Sequence, residues 1–299
     1  MLTPSVWETF FPSKLLLFGE HTVLQGSQAL AMPLPIFGGQ WAYTTDKALQ
    51  YNLPEFNAYL ANLVKNNAIV LDTQAISEAL DAGLIFQSNI PNGYGVGSSG
   101  ALVAALYDTF CTKKTTDLKE LKTILGKMES FFHGSSSGFD PLICYIKKAI
   151  LIQNGGDMRT VDIPKNDISV FLIDTKMTRD AGKCIKIFAD KCQDVHYKHM
   201  VINDLVPNIN DAIAAMLQNR KEILFEAVHH ISLFQYRFFE EAIPTPFKEI
   251  WLEGLGSDTF KLKICGAGGG GFILGFAKDK QATQAILKKL DIDIIPNFI

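Results

Sequence analysis

Pro91-Asn92-Gly93-Tyr94-Gly95-Val96-Gly97-Ser98-Ser99-Gly100-Ala101 is a run rich in glycine and serine. An apolar helix pattern follows it at once, through Leu102, Val103, Leu106 and Phe110. Glycine lets a backbone turn tightly and lie close to a ligand. A helix starting at Ser98 points its unpaired N–H groups, and the positive end of its dipole, back into the run. Those are the ingredients of a phosphate cradle. No Gly-Lys-Ser/Thr closes the run, so it is not the Walker pattern. Taken alone, it reads equally well as a plain tight turn.

The surrounding chain has 299 residues, 47% of them hydrophobic and 20% charged. This is the composition of an ordinary globular protein, and the length favours two domains. A formal net charge of −3 gives no electrostatic reason to expect a nucleic-acid or membrane partner. The five cysteines form no C-x-x-C pair and read as reduced thiols of a cytoplasmic protein. Cys192, His196 and His199 lie close in sequence but fit no zinc spacing, so a helix surface carrying two histidines is expected there. The apolar runs Leu15–Phe18 and Ala149–Ile152 are far shorter than a membrane span, and no signal peptide is expected.

Before the glycine run, Lys14–Phe18, Val23-Leu24, Ala29–Met32, Phe37–Tyr43 and Leu84–Asn89 read as strands, with helices over 54–65 and 75–82. After it come helices from Ser98 and from Leu118, the latter capped by Asp117, and a strand at Ala149–Ile152. The second half reads as a strand at Ile168–Asp174 and helices near 180–193, 203–218, 220–239 and 247–254. Strands at Phe260–Cys265 and Phe272–Phe276, a helix over 279–290 and a strand at Ile292–Ile295 complete it. This order suggests an α+β fold with helices on an antiparallel sheet. The polar stretch 155–167 marks the boundary, giving domains 1–160 and 161–299. The 203–218 helix is either a homodimer face or core.

Three further stretches stand beside the glycine run: Lys14-Leu15-Leu16-Leu17-Phe18-Gly19-Glu20-His21, Glu129 to Asp140, and Lys263-Ile264-Cys265-Gly266-Ala267-Gly268-Gly269-Gly270-Gly271. Together the four resemble, in order and spacing, the motifs of the GHMP kinase superfamily (galactokinase, homoserine, mevalonate and phosphomevalonate kinases). The likeness covers nearly the whole chain. It implies a GHMP kinase-like two-domain fold, with a ribosomal protein S5 domain 2-like N-terminal domain that binds ATP and a ferredoxin-like C-terminal domain. Within the superfamily the mevalonate kinase branch is most similar, through Gly19-Glu20-His21-Thr22-Val23-Leu24-x-Gly26 and through His133-Gly134-Ser135-Ser136-Ser137-Gly138-Phe139-Asp140. Glu129 stands eleven residues before Asp140, as the family's magnesium-binding Glu does.

The resemblance assigns roles that the chemistry of phosphoryl transfer supports. Gly95, Val96, Gly97, Ser98, Ser99 and Gly100 would offer backbone N–H groups to the phosphates of ATP. Ser99 and Glu129 would give oxygen ligands to Mg²⁺. Asp140 would accept the proton of the attacking hydroxyl, and Lys14 would pair with Asp140 and stabilise charge on the transferred phosphoryl. Glu20, His21, Gly268 and Gly269 would face a small-molecule alcohol substrate, expected to be mevalonate. Taken singly, Asp140 is a loop carboxylate, Glu129 a helix-end residue, Lys14 a strand-end charge and the 266–271 run a hairpin turn; the joint register makes them a set. Ser13, Gly100 and Ser136 depart from the family pattern, and Ala181 stands where a substrate-side Thr is usual. These departures leave phosphomevalonate kinase as an alternative, with Lys176, Arg179 and Lys183 as candidate basic residues. A galactokinase is disfavoured because Thr22-Val23 follows Glu20-His21. A catalytically inactive metabolite-binding regulator is disfavoured because Lys14, Glu129 and Asp140 are all present.

Overall fold

A computed structural model describes residues 9–153, 156–165, 167–179, 181–290, 292 and 294–295. Among them the regular elements run in the order β1 Phe11–Phe18, β2 Ala29–Tyr43, α1 Leu53–Lys65, α2 Thr73–Asp81, β3 Leu84–Ser88, α3 Ser98–Phe110, α4 Leu118–His133 and α5 Phe139–Ile146. They continue with β4 Ala149–Ile152, β5 Met158–Val161, β6 Ser169–Asp174, α6 Ala181–Lys191, α7 Val195–Met200, α8 Val206–Leu217 and α9 Lys221–Phe238. The last are α10 Lys248–Gly256, β7 Phe260–Ile264, β8 Phe272–Ala277, α11 Lys280–Lys289 and β9 Ile294–Ile295. The chain packs as two units interleaved in sequence, whereas the sequence places a single boundary at 155–167. One unit holds the chain up to Lys14, Pro33–Pro91 and Val96–Lys148; the other holds Leu15–Met32, Asn92–Gly95 and the chain from Ala149 on.

In the first unit, the end of β2 pairs antiparallel with β3, from Gly39 opposite Ser88 to Tyr43 opposite Leu84. Trp41 turns inward from this ladder and meets the rings of Phe86 and Phe110 edge-on, at 5.3 and 6.3 Å. Its indole N–H donates to Thr109 Oγ1 at 2.8 Å, as a buried indole needs. Helix α3 is buried on most of its sides, through Gly100, Ala101, Val103, Ala104, Ala105, Leu106, Tyr107 and Phe110. It packs against both α4 and α5. Asp117 caps α4 as expected, accepting from Glu120 N at 2.8 Å.

In the second unit, β4 pairs with the first residues of β2 and with β5. A separate antiparallel sheet has the order β7-β8-β6-β9. Numbered along this half of the chain, that is strand order 2-3-1-4, the ferredoxin-like arrangement, with five helices between its first two strands instead of one. Helices α9 and α10 pack on β7, and α8 packs on α9. The apolar residues of α8 (Val206, Ile209, Ala212, Ile213, Ala215 and Met216) are buried, so this helix serves the core of its own unit.

Four local expectations are corrected. Thr22–Gln25 is a 3₁₀ turn, not a strand, and Leu24 is 83% exposed. Thr22 and Ser27 bond across it through their hydroxyls at 2.8 Å. Ala29–Met32 and Phe37–Tyr43 are parts of one 15-residue strand that runs through Pro33 and Pro35, prolines that suggested a break. The helix near 203–218 begins at Val195 instead. Its turn Val201–Leu205 is π-wound just before Pro207, which has no N–H to continue the regular ladder. Finally, α5 and β5 have no counterpart in the sequence reading. Asp180 and Gly155, which that reading also used, lie outside the described residues.

Candidate active site

In the first unit, β1 carries Lys14 with its side chain almost fully buried and its Nζ 3.0 Å from Asp140 Oδ2. Asp140 lies in the first turn of α5, where the helix dipole favours a carboxylate. The start of α5 is made possible by Gly138. Its φ is +76°, and a Cβ there would lie 2.1 Å from Lys122 O. The glycine run is tied to β1 by Lys14 N donating to Val96 O at 2.9 Å. Gly97 leaves room for the lysine stem, since a Cβ would sit 2.8 Å from Lys14 Cγ. Gly100 leaves room for α5, since a Cβ would sit 2.9 Å from both Asp140 C and Pro141 N. The departure at Gly100 is therefore explained by a close helix approach. Helix α3 starts at Ser98 with no side-chain cap on its first N–H groups, which suits the anion-binding end expected of it.

Ser99 Oγ donates to Glu129 Oε1 at 3.0 Å and lies 3.1 Å from His133 Nε2. With the serine proton directed at Glu129, the imidazole Nε2–H donates to the serine oxygen. Ser136 Oγ donates to the other Glu129 oxygen. Burial raises the Glu129 carboxyl, and the negative charge of Asp140 raises it further. The hydrogen bonds from Ser136 and Ser99 pull it down. A buried carboxylate flanked by hydroxyl oxygens is a hard donor set, and it fits Mg²⁺.

In the second unit, Glu20 and Lys263 form an ion pair buried on both sides. Nζ lies 2.5 Å from Oε1 and 2.7 Å from Ile264 O. Burial pushes the Glu20 carboxyl up, against the pull of Lys263. His21 adopts φ +61°, unusual for a non-glycine residue. Its Nε2 is 3.0 Å from Ala267 O, and its ring stacks on Phe188 at 4.9 Å and meets Phe239 edge-on. Burial lowers its pKa to about 4, so at neutral pH the ring is neutral and donates from Nε2.

The 266–271 run is both a hairpin connection, since β7 and β8 pair, and a tightly held loop. Gly269 N donates to Ala242 O and Gly271 N to Met177 O, each at 2.7 Å. Gly268 and Gly269 both have positive φ. The Arg179 guanidinium lies against Gly95 on one side and Gly266 on the other, where any Cβ would collide with it.

The expected residues thus fall into two sets: Lys14, Val96–Gly100, Glu129 and Asp140 in the first unit, and Gly95, Glu20, His21, Gly268 and Gly269 in the second. His133 and Lys263 stand inside the recognisable motifs, yet their residue types alone point to no role there. Ser136 stands out in the sequence only as a departure, and Arg179 only as a candidate for an alternative acceptor.

Comparison with known proteins places the fold among known ones. Residues 62–148 match the family described as GHMP kinases N terminal domain. The chain has the α+β two-domain GHMP kinase fold. The crystal structure of L. major mevalonate kinase in complex with R-mevalonate aligns with a TM-score of 0.66 at 16% identity, covering 99% of this chain and 98% of that one. Streptococcus pneumoniae phosphomevalonate kinase in complex with phosphomevalonate and AMPPNP aligns with a TM-score of 0.68 at 15% identity, over 96% and 99%. Curated relatives named mevalonate kinase also match over most of this chain's length. The mevalonate kinase of Thermococcus onnurineus is 23% identical over 314 residues, covering 92% of this chain and 90% of the relative.

Proposed function

We propose that this chain is a kinase that transfers the γ-phosphoryl group of ATP to the hydroxyl of mevalonate. The observation that carries this reading is the Lys14–Asp140 pair, set beside the Ser99–Glu129 pair at the start of α3. Asp140 takes the proton of the attacking hydroxyl. Lys14 stabilises the charge that develops on the transferred phosphoryl. The N–H groups at the start of α3 hold the phosphates of ATP. Ser99 and Glu129 hold Mg²⁺, which supplies charge neutralisation at those phosphates when bound. The resemblance gives His21, Glu20, Gly268 and Gly269 the task of recognising the acceptor.

A second reading keeps the chemistry and changes the acceptor to phosphomevalonate. Arg179 favours it, because a guanidinium between Gly95 and Gly266 suits a second phosphate. The S. pneumoniae enzyme of that specificity is also a fold neighbour. An assay of ADP release with mevalonate, phosphomevalonate, homoserine and galactose separates the readings. Turnover with mevalonate is expected, and turnover only with another acceptor would overturn the first reading.

A further inference from the structure

The turn between α4 and α5 reads Gly134-Ser135-Ser136-Ser137-Gly138. Ser136 Oγ accepts a hydrogen bond from Gly138 N at 3.0 Å. Its single proton is then free to be donated, and it meets the second oxygen of Glu129. The first oxygen of Glu129 already accepts from Ser99. Glu129 lies in the last turns of α4, where the dipole disfavours a negative charge, and it is 4% exposed. Two hydroxyl donors, one on each oxygen, fix the plane of this carboxylate. Gly138 is also the residue that opens α5, two places before Asp140. Ser136 therefore links the support of one acidic group to the start of the helix that carries the other.

We infer that Ser136 is a positioning residue that orients the Glu129 carboxylate for a divalent metal. This rests on the kinase reading above. Ser136 acts through Glu129 and is not itself a ligand. Residues that orient metal ligands in this way typically change metal affinity about 10- to 100-fold when removed.

The test uses the full-length protein with Mn²⁺ as the probe. Free Mn²⁺ is followed by electron paramagnetic resonance in the presence of ATP, and ATP affinity without metal is measured by calorimetry. Ser136→Ala should weaken Mn²⁺ uptake about 10-fold or more. It should leave metal-free ATP affinity and the melting temperature close to wild type, and Ser136→Thr should restore uptake. Mn²⁺ affinity unchanged in Ser136→Ala would overturn the proposal. So would a parallel loss of Mn²⁺ affinity, ATP affinity and thermal stability, which marks a merely structural serine. A wild-type protein that takes up no Mn²⁺ with ATP would overturn both this inference and the kinase reading, whereas normal wild-type uptake with an unaffected Ser136→Ala variant sinks this inference alone.

Discussion

Lys14, inside β1, and Asp140, in the first turn of α5, sit 3.0 Å apart, and only the lysine is buried. If Asp140 is the base, Asp140→Asn should lower kcat by about 10²- to 10⁴-fold in steady-state assays. Lys14→Met should lower kcat by about 10²- to 10³-fold. His21 gives a test that needs no substrate. Its pKa is about 4 in the folded chain against about 6.5 unfolded, so the unfolded state binds more protons between those values. The stability conferred by the neutral ring is present above about pH 6.5 and is lost as the pH falls towards 4, up to about 3 kcal/mol. Urea denaturation at pH 7 and pH 5 should show a smaller loss in His21→Gln than in wild type; equal losses would remove His21 as the cause.

Helices α3 and α5 meet at Gly100, whose missing Cβ is what lets α5 approach α3. Gly100→Ala should destabilise the protein by about 1–3 kcal/mol through overpacking and lower kcat by shifting Asp140. Unchanged kinetics and stability would show that the helices can separate freely. In the second unit, the buried Glu20–Lys263 pair ties the turn after β1 to the end of β7. Removing one partner strands a buried charge, so Glu20→Gln or Lys263→Met alone should cost about 3–5 kcal/mol. The double variant should lie closer to wild type than the sum of the two, as chemical denaturation of all three would reveal.

These elements also mark how far the sequence could be read. Lys14, Ser99, Glu129 and Asp140 were legible because each stands in a contiguous run of recognisable residue types. Helix α5 was not, because it is eight residues long and is launched from a glycine–serine turn by the left-handed Gly138. The roles of Ser136 and His133 depend on where that turn folds back, and one-dimensional spacing carries no such signal. The strand β2 hid behind its prolines, and the 3₁₀ turn at Thr22–Gln25 hid behind two adjacent apolar residues that the structure leaves exposed.

Across the whole molecule, the second unit's sheet has ferredoxin-like strand order, while the first unit packs its helices around α3. No described helix is long and apolar enough to cross a membrane. The residues of the proposed chemistry divide between the units: metal, base and most of the phosphate loop in the first, the acceptor-facing residues and Gly95 in the second. The most direct measurement follows the ³¹P resonances of a mixture of the purified protein, ATP, Mg²⁺ and mevalonate. A new phosphomonoester signal should grow in step with ADP, and Asp140→Asn should slow it by about 10²-fold or more. A mixture in which no phosphomonoester forms, or in which Asp140→Asn forms it at the wild-type rate, would contradict the proposed chemistry.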